Sequence, residues 1–337
     1  MRLLSVLPFA ILLATGLATA SNRVLKHTDS KSPTLRYGLR DSNAKFNAAS
    51  TDTSLPISLA PTTGTTDEET LERYGYFAMA AGRNHTIGGW TCGPICTVPQ
   101  TADSIATAIV DTSFPEASIH ALVVLNPTLK QVIVAFRGTT TDADVLQNMN
   151  WALCDWPIFN GNSSSIASVG GGTVQPSVHC GFLDGYSAGA DKIYEAATAQ
   201  LSKYPDYSLV IVGFSLGGAH ATITAIDFQL RDASLVNRTS VYTYGSPRMG
   251  DADLARYFNS RPFTISARVV ANADLVIHLP PQWTNYLHVN REYWLVNDTL
   301  HVCSANSTKE DPACSDSVPL TKYNIDDHHY GYWNTNI

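Results

Sequence analysis

Charge is scarce in this chain. Only 15% of its 337 residues are Asp, Glu, Lys or Arg, and the acidic excess leaves a net charge of −7. There is no basic run or stripe, which excludes the electrostatic footprint of a nucleic-acid binder. Apolar runs long enough for a bilayer span are lacking beyond the N-terminal segment, so no transmembrane anchor is expected. Repeats and a mid-chain linker are lacking too, and 44% hydrophobic content suffices for one large core. The expectation is one main domain with no implied protein partner.

What is there begins with Arg2, an apolar stretch through Leu7, Phe9, Ala10, Ile11, Leu12 and Leu13, and the small-residue signal Ala18-Thr19-Ala20. The stretch is broken by Pro8 and Gly16 and is short for a span, so residues 1–20 read as a secretory signal peptide. Residues 21–64 are rich in Ser, Thr, Asp, Asn and Lys without apolar periodicity, and read as a pro-segment or disordered linker. A domain over 65–337 is expected to open with a helix. Thr65 to Glu69 supply its cap and acidic first turn, and Leu71, Tyr74, Phe77 and Ala78 fall on one face.

Export fits the rest of the composition. Six cysteines suggest three disulfides, and proximity in sequence favours Cys92–Cys96, Cys154–Cys180 and Cys303–Cys314 among 15 possible pairings. A zinc reading of Cys92-Gly93-Pro94-Ile95-Cys96 lacks a second pair of ligands, so neither a metal nor a cofactor is expected. Sequons at Asn84, Asn162, Asn237, Asn297 and Asn306 suit a glycoprotein, while Pro127 blocks Asn126.

The chemistry is concentrated at Leu209-Val210-Ile211-Val212-Gly213-Phe214-Ser215-Leu216-Gly217-Gly218. An apolar strand running into G-x-S-x-G and then into small residues has the form of a nucleophile elbow, which projects the serine into a cleft. Gly185-Tyr186-Ser187-Ala188-Gly189 also fits the pattern but lacks a preceding strand. The spacing of Ile193, Tyr194, Ala197 and Leu201 after it is helical, so Ser187 reads as a residue near a helix start.

Around the elbow the elements alternate. Strands at 120–126 and 131–136 form a hairpin over Pro127 to Lys130, and a helix over 184–203 precedes the strand 208–213. A helix over 217–231 and strands near 241–244 and 265–270 follow. This order predicts an α/β fold, a mostly parallel central sheet with helices on both faces and chemistry at the strands' carboxyl ends.

A serine nucleophile needs a base and an orienting carboxylate, which in an α/β-hydrolase follow it in the chain as Asp or Glu, then His. Asp227 reads as an exposed helical acid, and Asp251 and Asp253 lie at a helix start. Asp274 directly follows strand 265–270. For the base, His288 sits a loop's length beyond Asp274, with His278 and His329 as alternatives.

Gly213 to Gly218, Tyr244 to Gly250, Asp274 to Pro281 and His288 to Trp294 resemble, in order and spacing, the motifs of secreted fungal-type class 3 lipases. Phe136-Arg137-Gly138-Thr139 and Val178 to Phe182 resemble two further blocks of that family. The resemblance implies the α/β-hydrolase fold, with Ser215 as nucleophile, Asp274 as orienter and His288 as base. It implies an oxyanion hole from Thr139 and the Leu216 N–H. Arg137, His179, Pro247-Arg248 and Pro280-Pro281 read as structural.

Two departures stand out. The residue before the nucleophile is usually His in the family and here is Phe214, a change expected to alter packing beneath the elbow. The segment after Thr139 occupies the lid position, where Val145, Leu146, Met149 and Trp151 offer an apolar face for substrate or an oil–water interface. Its first turn is polar at Asp142, which leans toward the related feruloyl esterases. The function expected is a secreted, extracellular triacylglycerol lipase working through an acyl-enzyme. A feruloyl or other soluble carboxylesterase is the alternative, and a catalytically inactive secreted binding protein is the alternative of another class.

Overall fold

The structure, a computed structural model, describes residues 66–112, 119–139, 151–156, 167–169, 172–289, 291–304 and 309–333. The segments 1–20 and 21–64, the lid residues Val145, Leu146 and Met149, and the sequons at Asn162 and Asn306 lie outside the described residues.

The chain builds β1 (Ile105–Thr112), β2 (Ile119–Asn126), β3 (Gln131–Phe136), β4 (Leu153–Asp155), β5 (Ala167–Val169), β6 (Gly172–Val174) and β7 (Ser177–His179). β8 (Ser208–Phe214), β9 (Thr239–Tyr244), β10 (Ile265–Ala271), β11 (Arg291–Val296) and β12 (Thr299–Val302) follow. Eight of them form one sheet in the order β1-β2-β3-β8-β9-β10-β11-β12. Pairings from β3 through β11 are parallel, and β1/β2, β2/β3 and β11/β12 are antiparallel. β4 pairs with β7 and β5 with β6 in two small ribbons.

Burial on both faces explains the unbroken apolar runs of the central strands. In β3, Val132, Val134 and Phe136 enter one core while Ile133 and Ala135 enter the other. The first core is closed by α2 (Cys180–Lys203), α3 (Leu216–Arg231) and α4 (Ala252–Asn259). The second is closed by α1 (Glu68–Ala80) and by Tyr332 near the C-terminus. As the periodicity predicts, Leu71, Tyr74, Phe77 and Ala78 of α1 are buried, and Asp67 caps the helix by accepting the Thr70 N–H at 2.8 Å.

Three sequence expectations change. α2 begins at Cys180 rather than 184, because the buried His179 caps it by accepting the Phe182 N–H at 3.3 Å. Ser187 therefore lies well inside a helix, its hydroxyl donating to the Leu183 carbonyl. Asp227 is not exposed. It lies in the core, accepting from the Tyr186 hydroxyl and from Arg231 Nε, the latter at 2.9 Å.

Disulfides join Cys92–Cys96, Cys154–Cys180 and Cys303–Cys314, the pairing expected from proximity. Paired in this way, Cys92 and Cys96 cannot serve as thiolate ligands. Among the described residues no helix is long and apolar enough to cross a membrane.

Candidate active site

The elbow is built by close backbone packing. A Cβ on Gly213 would lie 2.0 Å from the Gly217 carbonyl oxygen, and one on Gly217 would lie 2.3 Å from that of Phe136. Only glycine lets α3 abut the tips of β8 and β3 so tightly. Ser215, between them, has φ 56° and ψ −127°. A non-glycine residue held there stores roughly 1–3 kcal/mol of strain. Its N–H donates to the Tyr244 carbonyl at 2.9 Å and its carbonyl accepts from Gly218 at 2.9 Å, so the turn is held from both sides.

Asp274 lies just past β10, as expected, and is wholly buried. Its Oδ1 accepts the Val276 N–H at 2.8 Å. Its Oδ2 accepts from the Tyr332 hydroxyl at 2.6 Å and from the imidazole Nδ1 of His328 at 2.9 Å. His328 belongs to α5 (Asp326–Tyr330), a short helix that the chain ties to the end of β10. Asn324 donates its N–H to the Ala273 carbonyl at 2.8 Å and accepts the Leu275 N–H at 3.1 Å, and Asp327 accepts the Ala273 N–H at 3.1 Å. The buried His328 ring stacks on Phe214, the residue before Ser215, with centroids 4.6 Å apart.

His288 is elsewhere. Its ring Nε2 donates to the Ile277 carbonyl at 2.7 Å and its backbone N–H to Glu310 Oε1 at 3.0 Å. Burial, and then the nearby Arg268 charge, push its pKa well below the ordinary histidine value, so the ring is neutral. It sits among the buried pairs Arg248–Glu310 and Arg268–Glu292, each closed at 2.7 Å. The block His288 to Trp294 is thus the entry to β11 and not the base of the site.

The two alternatives do not replace it. His278 stacks on Tyr323 with centroids 3.7 Å apart, and burial followed by the Arg248 charge lowers its pKa to about 3. His329 lies edge-on to His328 at 5.4 Å, and the carboxylate of Asp274 is met by His328 instead. His328 follows no apolar strand, so strand-based reasoning passes over it. The usable signal is the density of rings in His328, His329, Tyr330, Tyr332 and Trp333, too many for a solvated tail.

The structure thus brings together a strained serine, a buried carboxylate and the histidine bonded to it, at the carboxyl ends of neighbouring parallel strands. Against known proteins, the family model described as lipase (class 3) matches residues 133–284, from β3 through the elbow to the loop beyond Asp274. Over that segment the chain is similar to the class 3 lipases. A lipase of Rhizomucor miehei is 30% identical over 207 residues, covering 60% of this chain and 52% of that protein. Secreted mono- and diacylglycerol lipase 1 of Fusarium solani is 29% identical over 224 residues, 66% of this chain and 59% of that one. The chain spans about half the length of such relatives. A solved triacylglycerol lipase, whose catalytic centre is described as a serine protease triad, is 26% identical. It superposes with a TM-score of 0.67 over 80% of this chain and 97% of its own.

The other positions implied by the sequence resemblance fall around the elbow. A Cβ on Gly138 would lie 3.0 Å from Ser215 Cβ, so the strand-end segment carrying Thr139 runs directly alongside the serine. Thr139 is exposed. Leu216 is the first residue of α3, where an N–H has no intrahelical acceptor. Of the four lid positions only Trp151 is described. It is half-buried, edge-on to the exposed Trp283 at 5.9 Å, and its carbonyl accepts from the Tyr286 hydroxyl at 3.3 Å.

Arg248 and His179 are structural, as the sequence suggests. Arg248 is buried, forks onto Glu310, and donates to the carbonyls of His278 and Pro280 at 2.6 and 3.0 Å. It thereby fixes the loop that follows Asp274.

Proposed function

We propose that this chain is a secreted serine carboxylic-ester hydrolase, a triacylglycerol lipase in which Ser215, His328 and Asp274 form the triad. The observation that carries the reading is the Asp274–His328 hydrogen bond placed against the residue that precedes a strained Ser215. Ser215 Oγ attacks the ester carbonyl while His328 Nε2 takes its proton. Asp274 holds Nδ1–H and stabilises the imidazolium. The N–H groups of Thr139 and Leu216 receive the developing oxyanion, and a single lost donor of this kind costs about 10²- to 10³-fold in rate. The alcohol leaves with the proton from His328, the acyl group remains on Ser215, and water activated by His328 then releases the fatty acid.

Lipid esters as substrates are supported by the relatives named lipases and by the apolar Val145, Leu146, Met149 and Trp151 at the lid position. Secretion is supported by the 1–20 segment, and glycosylation by the exposure of the sequon residues Asn84, Asn237 and Asn297. The polar Asp142 favours a second reading, a soluble-ester or feruloyl esterase.

The test is the rate of tributyrin hydrolysis as substrate crosses its solubility limit, with Ser215→Ala as the blank. A jump in rate when droplets appear supports the lipase, and smooth saturation supports the soluble esterase. Activity equal to the blank would return the chain to the inactive binding class.

A further inference from the structure

The hydrogen bond to Asp274 anchors only one atom of the His328 ring. Rotation about the Nδ1–Oδ2 axis would keep that bond while changing the direction in which Nε2 points. The helix carrying the ring cannot prevent this alone, since α5 has five residues and isolated helices of that length do not hold their shape. Besides the edge-on His329, two contacts restrain the plane of the ring. Gly245 abuts its Nδ1–Cε1 side, where an added Cβ would lie within 2.9 Å of both atoms. Phe214 lies against it, with the two planes 29° apart.

Phe214 is itself fixed. It ends β8, is 7% exposed, and Tyr332 packs edge-on to its ring at 5.8 Å and 81°. On another side, a Cβ on Gly138 would come within 3.3 Å of its Cδ1. Tyr332 also donates to Asp274, so Phe214 touches both the histidine and the residue that steadies the carboxylate.

We propose that Phe214 is a positioning residue for the hydrolysis. Its ring sets the plane of His328 and so aims Nε2 at the Ser215 hydroxyl. The inference rests on His328 being the base. Misplacing a reacting group by 1 Å costs about 10²-fold, so the smaller rocking allowed by loss of one stacking face should cost about tenfold in kcat.

The experiment uses the full chain and p-nitrophenyl butyrate below its solubility limit. Phe214→Leu and Phe214→Met remove the ring, Phe214→Tyr keeps it, and His328→Ala serves as the control. The expected result is a kcat about tenfold lower in whichever ring-less variant folds, with KM within twofold, and recovery to within about twofold in Phe214→Tyr. In one-dimensional proton spectra the downfield Nδ1 resonance should broaden in the ring-less variants and stay sharp in Phe214→Tyr.

Wild-type kcat in a ring-less variant would overturn the inference. So would a Phe214→Tyr enzyme as slow as Phe214→Leu. Full activity in His328→Ala would instead overturn the triad on which it rests, and the two failures are thereby told apart.

Discussion

Gly245→Ala tests the packing of the proposed triad without replacing any of its residues. Gly245 has φ +56°, and a Cβ there would lie 2.8 Å from His328 Cε1, 2.9 Å from its Nδ1 and 3.0 Å from Asp274 Oδ2. The left-handed backbone costs an alanine roughly 1–2 kcal/mol. The steric demand is larger for catalysis than for stability. To restore ordinary contact the imidazole must retreat by several tenths of an ångström, and it is tied to Asp274 and stacked on Phe214. With about 10²-fold lost per 1 Å of misplacement, kcat should fall roughly 10- to 30-fold while KM stays near wild type. The assay is steady-state hydrolysis of soluble p-nitrophenyl butyrate, with urea unfolding alongside to show that the fold survives. A folded Gly245→Ala protein with kcat within twofold of wild type would refute the tight packing of His328 against Gly245.

Other consequences are separable. Ser187→Ala should retain full ester hydrolysis in the same assay, because that hydroxyl lies inside α2 and bonds the Leu183 carbonyl. Glu310→Ala strands the Arg248 guanidinium in the interior and should cost about 3–5 kcal/mol in urea unfolding, as breaking one side of a buried pair does. Stability should also fall in mild acid. Burial holds His179 and His220 at about 4, burial and then Arg248 hold His278 at about 3, and His288 is lowered by burial and then Arg268. These rings stay neutral in the native state at pH 5, whereas the unfolded chain protonates them below about 6.5. The unfolded state then binds more protons, so stability is full above about 6.5 and declines toward 4, by up to about 1.4 kcal/mol per pH unit per histidine. Asp251, raised by burial to about 6, opposes this with a single proton. A flat or rising unfolding midpoint between pH 6.5 and 4.5 would contradict this reading.

Much of the fold can be read from the sequence because its central strands are buried on both faces. The apolar runs 131–136, 208–213 and 265–270 become β3, β8 and β10, and the paired turn at Pro127 to Lys130 becomes the β2/β3 hairpin. The edges are harder. β1 mixes exposed and buried positions and carries a register shift between Ala106 and Ala108, which erases the period of two. β11 is hidden within a segment whose histidine attracts a catalytic reading. Asp227 illustrates the same limit, since nothing local tells that Tyr186 and Arg231 will enclose it.

The site divides along similar lines. Ser215 is visible because the elbow needs glycines at fixed offsets, and Asp274 because it directly follows an apolar strand. His328 is not, because what places it is long-range. The pairing of Asn324 with residues 273–275 and the bond from Asp327 to Ala273 fold the tail back onto β10. His288 lies nearer in sequence to Asp274, but its ring is committed to the Ile277 carbonyl and its neighbours to buried ion pairs.

The most direct measurement sets His328→Ala beside His288→Gln in hydrolysis of p-nitrophenyl butyrate, with circular dichroism to verify folding. If His328 is the base, His328→Ala loses more than about 10³-fold in kcat while His288→Gln keeps kcat within twofold and only unfolds more readily. A folded His328→Ala protein that retains activity, or a folded His288→Gln protein that loses it, would contradict the assignment of the triad.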